Sequence, residues 1–257
     1  MILFVFEGEY REPELFATIQ KMFFPKDNER IAYSFGNNIY ELYNELSKLD
    51  DAGDLVSLLQ ERCSGQADNP FEGLNSSDFS EIYLFFDYDF QNKNLELAEI
   101  NRQLKEMLSI FNDETEYGKL YINYPMIESI RYTKELPDDK YYEYVVSRAE
   151  CSGFKRLAAD FSAYSSLDFI LIDPRKELSQ LSEKKLKSLR DNWEYLKIQN
   201  VNKANFICHS KNEKPNKKEE VSQMLIFESQ LQKHVNKKQS EVAILNAFPL
   251  FLYEYFK

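Results

Sequence analysis

A chain of 257 residues, 43% hydrophobic and 15% aromatic, carries enough apolar side chain for a packed core. That excludes intrinsic disorder and fits one large domain, or one ordinary domain with an extension. Only 7 glycines and 8 prolines argue against collagen-like, low-complexity and turn-rich all-β architectures. The net charge of −11 conceals an asymmetry. Residues 1–150 carry 14 basic and 30 acidic side chains, and residues 151–257 carry 18 and 13. The acidic part would repel nucleic acid unless cations sit in it, whereas the basic part could contact phosphates.

In chain order, Ile2 to Phe6 is a continuous apolar run, the mark of a strand buried on both faces. Glu12 to Phe24 has Leu15, Ile19, Met22 and Phe23 at helical spacing after a proline suited to a helix start. Arg30 to Phe35 reads as a second strand, and Ile39 to Leu49 and Leu55 to Gln60 as helices. Ser64 to Ser80 is loop-like. Glu81 to Phe86 is a third strand, Leu95 to Phe111 an amphipathic helix, and Lys119 to Tyr124 a fourth strand. This alternation predicts an α/β fold with a four-stranded parallel sheet and flanking helices over residues 1–135, the first and third strands adjacent. Residues 136–257 read as a mainly helical region, with helices expected over Phe154–Tyr164, Glu177–Leu196, Lys218–Val235 and Glu241–Phe256. The run Ala247 to Phe256 is too apolar for a tail and must pack on a core or an interface.

No apolar run approaches the ~18 residues of a membrane span. Glu7 and Glu9 follow the apolar start too closely for a signal peptide. Cys63, Cys151 and Cys208 are scattered and odd in number, as expected of reduced thiols in a cytoplasmic protein.

Open parallel sheets bind ligands outside the carboxyl ends of their strands. Glu7 ends the first predicted strand, in FVFEGEY, and Asp87 and Asp89 end the third, in LFFDYDF. Strand residues two apart share a face, so Asp87 and Asp89 can converge on one cation, with Gly8 allowing a tight turn beside Glu7. Clustered carboxylates repel unless a divalent ion neutralises them, and oxygen ligands favour Mg²⁺ or Mn²⁺. Such ions clamp phosphate oxygens and activate water for phosphodiester cleavage.

An apolar strand ending in Glu-Gly, followed about 80 residues later by one ending in Asp-x-Asp, resembles the Toprim family. That family includes topoisomerases, bacterial primases, a maturase-type ribonuclease and overcoming-lysogenization-defect nucleases. The EGE form and the small size look most like the Toprim effectors of bacterial anti-phage systems, the RloB-like proteins and the partner of the PARIS defence ATPase. Tyr124 to Ser129 (YPMIES) is similar to their Pro-x-x-Glu segment. The resemblance covers residues 1–135. It implies a metal-dependent nuclease acting on DNA or RNA, with Glu7 as general acid/base or ligand, Asp87 and Asp89 as metal ligands, and Glu128 and Glu9 as further or outer ligands. Phe90, Gln91 and Asn92 stand where topoisomerases and primases usually carry a glycine, and the chain lacks room for a strand-passage domain. Both departures favour the nuclease branch. The alternative is a non-catalytic Toprim-like interaction subunit held by a partner ATPase, with or without self-association.

Other candidates are weaker. Cys208 and His209 are too few ligands for zinc, and His234 reads as a solvated residue. Ser129 lacks a nearby histidine and elbow glycines, and no Walker-type glycine loop is present. Lys184, Lys185, Lys187 and Arg190 form a basic helix face, and Lys211, Lys214, Lys217 and Lys218 a basic loop; both are candidate nucleic-acid contacts.

Overall fold

The computed structural model describes residues 1–25, 29–49 and 54–256. The first half runs β1 (Ile2–Phe6), α1 (Arg11–Phe23), β2 (Arg30–Ser34), α2 (Ile39–Leu46), α3 (Leu55–Cys63), β3 (Glu81–Asp87), α4 (Leu97–Ile110), β4 (Asn112–Asp113) and β5 (Gly118–Asn123). These strands make an α/β sheet in the order β2-β1-β3-β5-β4. The four long strands are parallel and β1 pairs with β3, as the sequence predicts, and β1 also pairs with β2 on its other side. The sheet nevertheless has five strands. The short β4 pairs antiparallel with the start of β5, a two-residue strand too brief to carry an alternation signal.

Parallel strands covered on both faces need near-continuous apolar sequence. All five β1 residues are buried, as are six of seven in β3. From β1 the chain moves one way to β2 and then returns past β1 to β3 on its other side. Right-handed crossovers therefore put α1 on one face and α2 to α4 on the other. On the α1 face, Phe16 packs 4.2 Å from Phe4 and 5.3 Å from Phe6 between ring centroids. The reversal of direction leaves a crevice at the carboxyl ends of β1 and β3, the switch point of the sheet.

The second half contains β6 (Val145–Ser147), α5 (Arg148–Cys151), α6 (Phe154–Phe161), α7 (Glu183–His209), α8 (Gln223–Gln230) with a π turn at Leu231–Val235, β7 (Glu241–Ala243) and α9 (Ala247–Tyr255). Two expectations are corrected here. Helix α7 runs thirteen residues past Leu196, because its buried stripe continues through Asn200, Lys203, Ala204 and Ile207, and the polar members hide the period. Residues 241–256 are not one helix. Val242 lies in a strand paired with β6, and Leu245 exchanges backbone hydrogen bonds with Tyr124 of 2.8 and 3.0 Å before α9 begins.

Helix α9 shares the sheet face with α1. Phe248 stacks on Phe85 at 4.6 Å, and Phe251 meets Phe4, Tyr83, Phe85 and Tyr121 within 5.8 Å. The expected burial of Ala247 to Phe256 is thus met inside the chain's own core, and both halves contribute to one continuous hydrophobic cluster. Cys63, Cys151 and Cys208 are free thiols. His234 is half-buried rather than solvated, and desolvation, with Lys237, Lys203 and Lys233 nearby, lowers its pKa to about 4. No helix among the described residues is long and apolar enough to cross a membrane.

Candidate metal centre at the sheet switch point

The β1–β3 register places Phe6 opposite Phe85, so Glu7 and Asp87 emerge together at the edge of the sheet. Glu7 N–H donates to the Phe85 carbonyl at 3.0 Å, and Asp87 N–H donates to Glu7 Oε2 at 2.9 Å. The two carboxylates therefore share one short stretch of backbone. Strand β3 ends at Asp87, so Asp89 is not brought round by strand alternation as expected. Tyr88 is fully buried, and Asp89 turns back with φ 50° in the left-handed region, which aspartate tolerates better than most residues. Gln91 Nε2 donates to Asp89 Oδ1 at 3.0 Å. Arg148 fixes the loop beyond by donating to the carbonyls of Phe90 and Asn92, each at 2.9 Å.

Glu12 is a fourth member of the cluster, missed by the sequence reading. It lies in the first turn of α1, only 3% exposed, and Gly8 N–H donates to its Oε1 at 3.3 Å. Gly8 has a role other than the expected tight turn. A Cβ there would lie 2.7 Å from Glu12 Oε2, so glycine makes room for the buried carboxylate. Pro13 was the available signal: it favours the first helical turn, and the first turn after β1 overhangs the carboxyl edge of the sheet.

The electrostatics of the four groups agree. Burial, with the Asp89 and Glu12 charges, holds Glu7 well above the usual carboxylate range, despite the Asp87 N–H. Burial, then Glu7, Glu12 and Asp89, does the same to Asp87 against the opposing Asn123 hydrogen bond. Burial raises Glu12, with Glu128 adding to it, and burial raises Asp89 against the Gln91 hydrogen bond. Among the described residues none of these four carboxylates has a Lys, Arg or His partner. Buried like charges without a counter-ion either take up protons or bind a cation.

Asn123, fully buried at the end of β5, is the second residue that the sequence did not single out. Its Nδ2 donates to Asp87 Oδ1 at 3.0 Å, and its Oδ1 accepts from Ala247 N–H at 3.0 Å. Asp87 is thereby tied to the first residue of α9. Replacing Asn123 with Leu should cost about 2–6 kcal/mol, because it strands two buried polar groups at about 1–3 kcal/mol each. A urea midpoint unchanged by the substitution would refute the tie.

The remaining candidates stand further out. Glu128, in the helical turn after β5, raises Glu12 and lies 3.7 Å from Lys155 Nζ. Glu9 is exposed and leans toward Gly36. Lys185 Nζ donates to the Asp168 carbonyl at 2.5 Å, beside a cavity of about 320 Å³ that Glu128 also lines. Lys187 pairs with Asp191, while Lys184 and Arg190 are exposed. The basic loop is elsewhere. Lys211 and Lys217 are exposed, and Lys214 and Lys218 lie over the Tyr253 ring. Lys218 shares a cavity with Lys119 at the start of β5, about 13 Å along the strand from Asn123. That loop is therefore at the opposite edge of the sheet.

Glu7, Glu12, Asp87 and Asp89 are gathered, not scattered, but Asp87 is only 8% exposed. Among the described residues, no three His, Cys, Asp or Glu side chains already stand as a metal-ligand set. The donor chemistry, all oxygen and short of positive charge, fits a hard divalent cation. Comparison with protein-family models, with curated proteins and with solved structures finds no match to this chain.

Proposed function

We propose that the chain is a Toprim-like, Mg²⁺- or Mn²⁺-dependent nuclease, the effector of an anti-phage system restrained or released by a partner. One observation carries the reading: four carboxylates, without cationic partners among the described residues, meet at the switch point of a parallel sheet, Glu7, Asp87 and Asp89 from the two strand ends that the Glu-Gly and Asp-x-Asp motifs occupy and Glu12 from the first turn of α1. Asp87, Asp89 and Glu7 would hold the ion, with Glu12 and Glu128 behind them. A divalent ion there supplies charge neutralisation to a phosphodiester and lowers the pKa of water. Glu7 has the environment of a proton carrier. Burial and neighbouring charge hold its carboxyl above the ordinary carboxylate range, the direction that suits a carboxyl to general acid–base work. Asn123 orients Asp87, and Gln91 orients Asp89.

The test is cleavage of end-labelled DNA and RNA by the purified chain, alone and with the products of neighbouring genes, in Mn²⁺ and in chelator. Wild type should cut only with metal, and Glu7→Gln and Asp87→Asn should each lose at least 100-fold in rate, the lower scale of general acid–base catalysis at about 10²–10⁴. Metal-independent cutting, or full activity in Asp87→Asn, would refute the proposal. The low exposure of Asp87 and Glu12 favours one second reading, an interaction subunit of an ATPase complex. It predicts no cleavage under any of these conditions and an intact complex with Asp87→Asn.

A further inference from the structure

Helix α7 leaves an apolar stripe in water. Tyr195 is 37% exposed and Ile198 is 47% exposed, and residues three apart share a helix face. Among the described residues they are the only exposed large apolar side chains on a common helix. Ile198 and Asn202, one turn apart, each line two cavities of about 400 and 140 Å³, so the two adjoin as one groove along α7.

The ends of the groove differ in charge. The larger cavity is lined by Lys197, Lys214 and Lys218 against one acid, Glu194, and Lys197 is paired with that acid at 2.6 Å. Lys214 and Lys218 share the Tyr253 ring, with Nζ 5.5 and 5.8 Å from its centroid. Lys218 also donates to the Glu254 carbonyl, but among the described residues neither lysine has a carboxylate partner. The smaller cavity is lined by Asp138 and Asp139 and by no lysine or arginine. Gln199 lines it too and is only 8% exposed, yet neither its Oε1 nor its Nε2 has a hydrogen-bond partner among the described residues. Buried polar side chains are normally satisfied, so this amide is an unused donor and acceptor at the wall of the groove.

We infer that the groove docks an extended protein segment in which an acidic side chain lies close to a large apolar one. The apolar side chain packs on Tyr195 and Ile198, and the carboxylate sits with Lys214 and Lys218. The Gln199 amide complements the segment's backbone, since it accepts from an N–H and donates to a C=O. A nucleic acid fits worse, because its charge repeats at every nucleotide and would meet Asp138 and Asp139. Lys218 lies at the edge of the sheet opposite the carboxylates, so a docked segment leaves the crevice open. The inference stands apart from the metal centre.

The test uses the full chain and a synthetic library of acetylated, amidated octapeptides, whose only carboxylates are side chains. Bound peptides should be enriched in Asp or Glu near a large apolar residue. The best binder, labelled with fluorescein, is then titrated by anisotropy. Ile198→Glu should weaken it by about 10-fold or more, the scale of an interface anchor. Lys214→Gln with Lys218→Gln should erase the preference for the peptide over its Asp→Asn or Glu→Gln counterpart. Gln199→Leu should weaken binding while leaving the thermal midpoint of the free chain unchanged or higher, because it replaces an unpartnered amide with an apolar group of similar size. A structural glutamine would instead lower that midpoint. No bound peptide, no acidic preference, equal affinity in wild type and Ile198→Glu, or displacement of the peptide by an oligonucleotide would each overturn the groove. The nuclease reading fails separately. Peptide bound without any Mn²⁺-dependent cutting leaves the groove and removes the nuclease, and cutting with no peptide bound does the reverse.

Discussion

Deleting residues 247–257 should leave a chain that is aggregated or unfolded, although all of the sheet-forming sequence is retained. The lost segment carries Phe248, Leu250, Phe251 and Leu252, all buried. At about 1.5–3 kcal/mol per large apolar side chain, their removal forfeits about 6–12 kcal/mol, comparable with the whole stability of an ordinary domain at about 5–15 kcal/mol. The loss is concentrated where it matters. Phe248 and Phe251 cover Phe4, Phe6, Tyr83, Phe85 and Tyr121, so the truncated sheet would expose a contiguous aromatic face. Deletion also removes the Ala247 N–H that holds Asn123. A milder form of the experiment is Phe251→Ala, which should cost about 3–5 kcal/mol through the lost transfer energy and the cavity left behind. A truncated chain that stays soluble, with the wild-type melting temperature, would show that the sheet face is covered in some other way.

The parts of this architecture that were legible in the sequence are those with an uninterrupted physical signal. The runs ILFVF and EIYLFF have no solvated face, and they became the two central strands whose ends carry Glu7 and Asp87. The residues missed are those whose chemistry depends on neighbours that no periodicity reports. Glu12 reads as an ordinary first-turn acid until Gly8 is seen to yield space to its carboxylate. Asn123 reads as the polar end of a strand until α9 arrives from residue 247 to share its amide. Asn246 caps α9, its Oδ1 accepting the Phe248 N–H, but its Nδ2 also donates to the Ile127 carbonyl and to Ser129 Oγ, while its N–H donates to Asn200 Oδ1. Ser129 thus serves a buried network joining the turn after β5 to α7 and α9. Three of these contacts, from Asn246 to Ile127 and Ser129 and from Ala247 to Asn123, span more than a hundred residues, and none leaves a periodicity to read.

In chelator, the stability of the wild-type chain should fall as pH rises from about 5 to 8 relative to that of Asp87→Asn, and Mn²⁺ should reverse the fall only in wild type. Glu7, Glu12, Asp87 and Asp89 all have folded-state pKa values raised above the ordinary carboxylate range, chiefly by burial. A group raised in this way contributes stability below its unfolded pKa, about 4 for a carboxyl. That contribution is lost as pH climbs through the folded value. Where a carboxyl is protonated in the folded state and ionised in the unfolded one, the slope is about 1.4 kcal/mol per pH unit. His234 and Lys203 act in the opposite sense. Burial lowers both, to about 4 for His234, so the fold gains stability from each as pH rises toward the unfolded pKa. Comparing wild type with Asp87→Asn cancels these two contributions and isolates the carboxylate cluster. The amide keeps an oxygen for Asn123 Nδ2 while removing one charge from the group, so the variant should be the more stable chain without metal at pH 8. A divalent ion competes with the protons, and its affinity therefore rises with pH. At 100 times its dissociation constant it stabilises the folded chain by about 2.7 kcal/mol. The Mn²⁺-induced rise in melting temperature should accordingly grow from pH 5 to pH 8 in wild type and be absent in Asp87→Asn. Parallel stability curves for the two chains in chelator, together with equal shifts on adding Mn²⁺, would mean that Asp87 neither strains the fold as an anion nor holds the ion.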